Sequence, residues 1–348
     1  MHAIELQWKE NNIIKIGEDL IKNTGKIILP YIKSHRVFII TDKNVELYHL
    51  KTLQSSLASE SIVSVVHIIE AGEGSKNFRT LQKLLEETLG SGIDSNGTII
   101  ALGGGVVGDI AALAANLLLR GVSLIHIPTS LIAQVDSAIG GKTAINSQYG
   151  KNLIGTMYDA KLTLIDVNLL KTLPDEEFIA GYAEVVKYAL LYSNTFFSWL
   201  EENLEQILQK DQLLYLVKTC CQMKLMAVAN DIYDQKRNML NFGHSIAHAI
   251  EASSGYKVRH GYAVAVGLVI ESAISGIDNT PIVDHLKRAG LPVSLEDLNL
   301  QTDDLYEFLT RDKKTKNKTI LIILLEKIGK AYTEYVSCDF MCNIIYSK

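Results

Sequence analysis

The sequence has 348 residues, 47% of them hydrophobic, and a formal net charge of -5. A chain of this length and composition can bury a large core and is expected to form two domains. The negative charge argues against a nucleic-acid surface, which needs a concentrated basic face. An acidic ligand would therefore have to be held by local positive charge.

The cysteines and the apolar runs bear on the compartment. The chain contains Cys220, Cys221, Cys338 and Cys342. They form neither the CxxC pairs of a zinc site nor a dense disulfide framework, which favours a reducing cytoplasm. Residues 1–12 mix acids, amides and a tryptophan where a signal peptide needs an apolar stretch, and the run at 320–325 is too short to cross a bilayer. We therefore expect a cytoplasmic protein with no membrane contact.

Short β-branched runs alternate with helical patterns in the first half of the chain. The runs are VFIIT (37–41), VSVVHII (63–69), TIIAL (98–102), SLIHI (123–127) and LTLID (162–166). This alternation is typical of a mostly parallel sheet with helices on its faces. The sequence thus predicts an α/β domain over residues 1–170.

Long amphipathic stretches dominate the second half. The segment 173–192 opens on Pro174 and a run of acids, which are typical of a helix N-terminus. Helical periodicity recurs at 212–230, 241–253 and 261–275. Residues 171–348 are therefore predicted to form a helical domain. One exception lies at 318–336, where two β-like runs flank 327–330 and suggest a hairpin.

A glycine-rich loop follows the run TIIAL. GGGVVGD (103–109) leads into a helical pattern, so a GxGxxG spacing stands between a strand and a helix. Glycines there let backbone amides and a helix N-terminus approach a pyrophosphate, although a tight structural turn is the alternative. Asp42, at the end of VFIIT, stands where acids bind a ribose, or it caps the next helix. Glu73 and Lys76, taken alone, would be solvated loop charges.

Histidines and a carboxylate suggest a metal site. His244 and His248 lie four residues apart and hence on one helix face, and His260 begins the next predicted helix. Glu184 with two or three of these histidines would make a common catalytic zinc set. Paired histidines that are satisfied in the core are the alternative.

A set of basic residues lies close to glycines and asparagines near these motifs. Such residues suit a phosphorylated acidic substrate, although each one alone is more typical of the surface. They are Lys142, Lys151, Lys187, Lys224 and Arg237.

Long motifs in consecutive order resemble the 3-dehydroquinate synthase family. They are GGGVVGD (103–109), RGVSLIHIPTSLIAQVDSAIGGKTAIN (120–146), GKNLIG (150–155), AGYAEVVKY (180–188), LNFGHSIAHAIE (240–251) and HGYAVAVG (260–267). The resemblance implies an α/β N-terminal dinucleotide-binding domain that holds NAD, an all-helical C-terminal metal-binding domain, a cleft between them and a homodimer. It also implies a lyase of the shikimate pathway, which converts 3-deoxy-D-arabino-heptulosonate 7-phosphate to 3-dehydroquinate and phosphate.

The resemblance assigns roles to residues at matching positions. Glu184, His244 and His260 would bind the metal, zinc or cobalt, whereas His248 would contact substrate or relay protons. The NAD-lining residues would be Asp42, Glu73, Lys76, Gly104, Gly105, Val106, Asp109, Thr129, Ser130, Lys151 and Thr172. Substrate contacts would come from Asp136, Lys142, Asn152, Lys187, Lys224, Arg237, Asn241 and His248, with Arg120 reaching in from the neighbouring subunit.

Two segments depart from the family pattern. NDIYDQKR (230–237) is one residue shorter than usual, and the strand after Lys314 lacks the usual arginine. The alternatives are another sugar-phosphate cyclase such as 2-deoxy-scyllo-inosose synthase, a related polyol dehydrogenase that releases NADH, and a non-enzymatic descendant of the fold. Asp109, Lys142 and Asn241 favour dehydroquinate synthase.

Overall fold

The computed structural model describes residues 3–9, 12–228, 238–300, 305, 315–316, 319–337 and 340. The chain divides into two compact units. The first combines Met1–Pro174 with Leu213–Leu225, and the second combines Asp175–Gln212 with Met226–Lys348. The boundary near residue 170 stays a prediction, and Leu213–Leu225 groups with the first unit although helices of the second unit flank it in sequence.

A seven-stranded sheet forms the centre of the first unit. Its strands are β1 (Ile4–Lys9), β2 (Asn12–Gly17), β3 (Arg36–Asp42), β4 (Val63–Ile69), β5 (Thr98–Gly103), β6 (Ser123–Pro128) and β9 (Leu162–Asp166), and a separate hairpin is formed by β7 (Ile145–Ser147) and β8 (Gly150–Ile154). The order across the sheet is β1-β2-β9-β6-β5-β3-β4. Among the described strands of this seven-stranded sheet, only β1 and β2 pair antiparallel, so the predicted mostly parallel sheet is confirmed.

Apolar side chains project from both faces of this sheet into buried clusters. Phe38 and Ile40 of β3 pack into one buried cluster, and Val37 and Ile39 pack into another on the opposite face. Strands buried on both faces read as continuous apolar runs rather than as alternating ones, which is why VFIIT was recognisable. The helices of this unit are α1 (Thr24–Ile28), α2 (Lys43–Val45), α3 (Lys51–Ala58), α4 (Phe78–Gly90), α5 (Gly105–Leu117) and most of α9 (Leu213–Val228).

The second unit is mainly helical. Its helices are α6 (Asp175–Tyr192), α7 (Asn194–Glu202), α8 (Leu204–Leu208), α10 (His244–Ser253), α11 (His260–Ile274) and α12 (Thr280–Arg288). α6 begins directly after Pro174 with three acids in its first turn, as predicted. A side-chain carbon at Gly261 would lie 1.8 Å from the Ala180 carbonyl oxygen, so this glycine lets α11 cross α6 closely.

The predicted hairpin adds a small antiparallel sheet to this unit. Strands β10 (Thr315–Lys316), β11 (Thr319–Lys327) and β12 (Lys330–Ser337) pair in that order. The turn joins Lys327 to Lys330, where the sequence pattern placed it. Among the described residues, no helix is long and apolar enough to cross a membrane.

A buried histidine makes the stability of the second unit depend on pH. His285 in α12 is fully buried, and its Nε2 lies 2.9 Å from the Tyr182 hydroxyl. Burial, assisted by Arg288, lowers the pKa of His285 to about 4. The unfolded chain, with a histidine pKa of about 6.5, therefore takes up the proton first as pH falls, and the folded state loses up to about 3 kcal/mol between pH 6.5 and 4.

We expect His285→Gln to reduce the pH dependence of stability, while His126 of the first unit, whose pKa burial also lowers to about 4, continues to contribute. The urea midpoint of the wild-type protein should fall toward that of the variant as pH is lowered from 7 to 4. His35→Gln, which changes an exposed histidine, should keep the wild-type slope. Parallel pH profiles for the wild-type protein and His285→Gln would contradict the expectation.

Candidate active site

Glu184, His244 and His260 converge within the second unit. Each offers one ligand atom, and these atoms all lie within 4.8 Å of one another. Glu184 Oε1 lies 3.4 Å from His244 Nε2 and 3.3 Å from His260 Nε2. Bonds of about 2.0–2.2 Å to a tetrahedral zinc would separate its ligand atoms by roughly 3.3–3.6 Å. The two separations from Glu184 Oε1 match this range, so the donor set suits a metal ion.

Three helices bring these donors together. Glu184 lies in the middle of α6, whereas His244 and His260 are the first residues of α10 and α11. Lys187, one turn along α6, forms an ion pair with the Glu184 carboxylate. The carboxylate is fully buried, and Lys187, His244 and His260 surround it. Because a buried charge is costly unless it is paired, a cation held by this donor set would fit the charge of Glu184.

Contacts behind the histidines fix which ring nitrogen faces the donor group. His244 Nδ1 lies 3.0 Å from the Phe242 carbonyl oxygen, which can only accept, so Nδ1 carries the proton and Nε2 is free to bind a metal. His260 Nδ1 lies 3.4 Å from a carboxylate oxygen of buried Glu251. Carboxylate and carbonyl partners of this kind orient metal-binding histidines and raise their basicity.

The electrostatics keep Glu184 charged. Burial acts to raise the pKa of Glu184, but the Lys187 ammonium and then His244 outweigh it and hold that pKa well below its usual range. Burial and Lys187 lower the pKa of His244 against the pull of Glu184. Burial lowers the pKa of His260, but contacts with Glu184 and Glu251 outweigh it and raise that pKa to about 9. Glu184 and His244 are therefore in the state that metal binding requires, whereas His260 would release a proton as a metal binds.

His248 does not belong to this donor group. Its side chain is exposed, and its ring meets the His244 ring edge-on with centroids 5.8 Å apart. Glu184, His244 and His260 form the one group of three potential metal ligands among the described residues. The convergence of the side chains favours His260 over His248 as a metal ligand, and the ligand assignment stays a prediction.

The glycine loop joins β5 to α5 as predicted. Gly104 precedes the first residue of α5, and Val106 lies in its first turn. A side-chain carbon at Gly104 would lie 3.2 Å from Ser130 Oγ, so glycine keeps the backbone accessible there. The Thr129 amide donates to the Gly103 carbonyl at 3.0 Å, which places Thr129 and Ser130 beside the loop at the ends of neighbouring parallel strands. This is where doubly wound sheets bind dinucleotides.

A buried polar network lies next to the loop. Lys76 Nζ is 2.5 Å from both Asp109 Oδ2 and Asn152 Oδ1, and the lysine is 5% exposed. Asn146 donates to Glu73 Oε1 at 2.7 Å and accepts from the Asn152 amide at 2.9 Å. Burial raises the pKa of Asp109 against the opposing effect of Lys76. Residues assigned by resemblance to NAD and to substrate thus meet in one network, and Lys76 is no solvated loop charge.

Other residues assigned to NAD have structural partners of their own. Asp42 Oδ1 accepts from the amides of Asn44 at 2.8 Å and Val45 at 3.0 Å, so it caps the following helix, which was the alternative reading. Thr172 Oγ1 lies 2.8 Å from His49 Nε2. Lys151 lies in β8. A cofactor role for these residues stays a prediction.

The residues assigned to substrate are distributed over both units. Lys224 Nζ forms an ion pair with the Asp136 carboxylate and donates to the Asp136 carbonyl at 2.9 Å. Asn241 Nδ2 donates to the Asn238 carbonyl at 3.1 Å. Lys142 and Arg120 are exposed, and Arg120 has a φ of 68°. Asp136, Lys142, Asn152, Lys224 and Arg120 belong to the first unit, and Lys187, Asn241 and His248 to the second. Arg237 and Lys314 lie outside the described residues.

Comparison with known proteins decides the family. A model of the N-terminal part of 3-dehydroquinate synthases matches residues 66–180, and one of the C-terminal part matches residues 181–315. The chain belongs to the 3-dehydroquinate synthase family. The 3-dehydroquinate synthase of Bartonella bacilliformis is 40% identical over an alignment of 356 positions, gaps included, which covers 96% of this chain and 94% of that one. The resemblance read from the motifs is confirmed.

Solved structures of related synthases share the fold of this chain. A 2-deoxy-scyllo-inosose synthase complexed with carbaglucose-6-phosphate, NAD+ and Co2+ superimposes with a TM-score of 0.88, covering 99% of this chain and 100% of that one at 24% identity. The 2-epi-5-epi-valiolone synthase of Streptomyces hygroscopicus, with NAD+ and Zn2+ bound, gives 0.89, covering 99% and 98% at 24% identity. At this identity the likeness concerns the fold.

Three residues of this member of the 3-dehydroquinate synthase family contact residues of the candidate sites, although the sequence indicated no role for them. Asn146 joins Glu73 to Asn152, and Glu251 contacts His260. Glu271 accepts a hydrogen bond from the residue before His244. Asn146 and Glu251 are the last residues of two motifs that carried the resemblance. Their partners lie in other elements of the fold, so residue spacing could not identify them.

Proposed function

We propose that this chain catalyses the conversion of 3-deoxy-D-arabino-heptulosonate 7-phosphate to 3-dehydroquinate and phosphate, a lyase step of the shikimate pathway. The convergence of Glu184, His244 and His260, in a chain of the 3-dehydroquinate synthase family, carries the proposal. The cofactors are NAD and a divalent metal ion, zinc or cobalt. The substrate is transiently oxidised, loses phosphate, is reduced again and closes by an intramolecular aldol step, with no net redox change.

When bound, NAD would accept and later return the hydride of a substrate carbon that carries a hydroxyl, and the metal ion would polarise that hydroxyl. Glu184, His244 and His260 hold that ion, and Lys187 keeps Glu184 ionised. The amides at the start of α5, opened by Gly104 and Gly105, hold the pyrophosphate of NAD together with Val106, Thr129 and Ser130. The other residues that hold NAD are Asp42, Glu73, Lys76, Asp109, Lys151 and Thr172.

The remaining polar residues orient the substrate. Lys142, Arg237 and Asn241 hold the phosphate, so that its own oxygens accept the neighbouring proton as it leaves. Lys187 and Lys224 bind the carboxylate end, and His248 relays protons. Asp136 and Asn152 complete these substrate contacts. Orientation is central because an oriented intramolecular step avoids a large entropic cost.

A phosphate-release assay tests this function. Purified protein is supplied with NAD, zinc and the heptulosonate phosphate. In one parallel sample EDTA replaces the zinc, and in another glucose-6-phosphate replaces the heptulosonate phosphate. We expect metal-dependent phosphate release, dehydroquinate as product and no net NADH. Turnover of glucose-6-phosphate alone would support the 2-deoxy-scyllo-inosose synthase alternative, NADH accumulation a polyol dehydrogenase, and protein that binds neither NAD nor metal a non-enzymatic descendant.

We further propose a homodimer in which Arg120 acts on the partner's substrate. Leu117 and Leu119, close to Arg120 in sequence, are 50% and 43% exposed, and a second subunit that reaches Arg120 would cover them. Leu119 and Arg120 both adopt left-handed backbone, with φ of 51° and 68°, and such strain is concentrated at functional sites.

The free thiols Cys220 and Cys221 support a reducing, cytoplasmic location.

Mixed dimers test the exchange of Arg120. Arg120→Ala and Lys142→Ala should each be nearly inactive. Equal amounts of the two variants are then unfolded and refolded together, so that half of the dimers contain one subunit of each. Each mixed dimer has one intact site of two, so the mixture should regain up to about a quarter of wild-type activity. Sedimentation should give the mass of two chains. A monomer, or mixtures without any regain, would contradict the shared site.

A further inference from the structure

A second helix holds the backbone next to the ligand His244. Glu271 lies in α11, the helix that begins with the ligand His260, and it is fully buried. Its Oε2 accepts a hydrogen bond from the Gly243 amide at 2.8 Å. Gly243 immediately precedes His244 and adopts left-handed backbone, with a φ of 76° and no side-chain cap for α10. The carboxylate therefore binds the chain one residue before a metal ligand.

Glycines bring the two helices into backbone contact at the same place. A side-chain carbon at Gly267 would lie 2.0 Å from the Gly243 carbonyl oxygen, and one at Gly243 would lie 2.9 Å from the Leu268 amide nitrogen. No side chain fits between α11 and Gly243. Together with the bond from His244 Nδ1 to the Phe242 carbonyl, this fixes the segment 242–244 at successive points.

We propose that Glu271 is a positioning residue for the metal site. By holding the Gly243 amide it fixes the start of α10, so that His244 Nε2 is held beside Glu184 and His260 before a metal ion binds. A carboxylate near a helix N-terminus is also favoured by the helix dipole. A buried carboxylate is costly unless it is hydrogen-bonded, and the bond from the Gly243 amide partly offsets that cost for Glu271. This inference rests on the proposed metal set.

Cobalt binding tests this role without using activity. The affinity for Co2+ is measured by competition with a chelator, together with the visible absorption of bound cobalt, for the wild-type protein and three variants. Glu271→Asp keeps the charge but is one methylene too short to reach Gly243, and we expect about a tenfold to hundredfold loss of affinity with an altered spectrum. Glu271→Gln keeps an acceptor at the same reach and should stay within about threefold of the wild type with an unchanged spectrum.

Ser272→Ala is the matched control. It removes the buried hydroxyl of the next residue in α11, which donates to the Val269 carbonyl at 2.8 Å and contacts no candidate ligand. It should bind cobalt as the wild type does. Equal cobalt affinity in Glu271→Asp and the wild type would overturn the inference, as would equal losses in Glu271→Asp and Ser272→Ala, or a tenfold loss in Glu271→Gln. Wild-type protein that binds no cobalt would instead overturn the proposed metal set itself.

Discussion

Replacing His244 with alanine is expected to abolish tight zinc or cobalt binding and to lower kcat for phosphate release by about 1,000-fold, because a catalytic metal contributes several kcal/mol and each 1.36 kcal/mol is tenfold in rate. His244 Nε2 lies 3.4 Å from Glu184 Oε1, and its removal leaves two of the three convergent donors. Metal content after gel filtration and phosphate release at saturating substrate measure the two effects.

His248→Ala provides the matched comparison for metal content. It removes an imidazole of the same helix, one turn after His244, but the side chain is exposed and outside the donor group. We expect His248→Ala to retain one metal ion per chain, whatever its activity. If His248→Ala lost its metal ion and His260→Ala retained it, His248 would be the ligand, as the helical spacing suggests, and His260 would not.

The strands and the glycine loop could be predicted because their signals are local. VFIIT and TIIAL are apolar on both faces of a parallel sheet, and GGGVVGD stands directly between a strand and a helix. The strands β1 and β2 were not predicted, although Asn12–Gly17 alternates buried and half-buried residues over its first four positions. The hairpin of β7 and β8 was not predicted either, since its strands are short and largely polar, although Ile145 is buried in the core and Ile154 packs against it.

The choice of metal ligands shows where local reasoning ends. A four-residue spacing establishes that His244 and His248 share a helix face, but it contains no information about which other helices meet that face. His260 enters the donor group because α6, α10 and α11 pack together, and the close crossings at Gly261 and Gly267 permit that packing. Family resemblance supplied the assignment, because a family's motifs preserve long-range contacts that one sequence does not reveal.

Lys142→Ala is expected to leave NAD affinity within about twofold of wild type while lowering phosphate release about 100-fold to 1,000-fold, the usual effect of removing one positioned donor to developing negative charge. Lys142 is exposed, whereas the buried network of Lys76, Asp109 and Asn152 lies beside the glycine loop. Loss of the Lys142 ammonium should therefore affect the phosphate of the substrate and not the cofactor.

Lys161→Ala makes the same change of charge at another exposed lysine of the first unit and should leave both quantities unchanged. NAD binding is measured by calorimetry, and phosphate release is measured in the assay with NAD and zinc. Unchanged turnover in Lys142→Ala would remove Lys142 from the mechanism. A parallel loss of NAD affinity would instead place Lys142 at the cofactor. The phosphate would then have to be held by Asn241 and by the remaining basic residues assigned to the substrate.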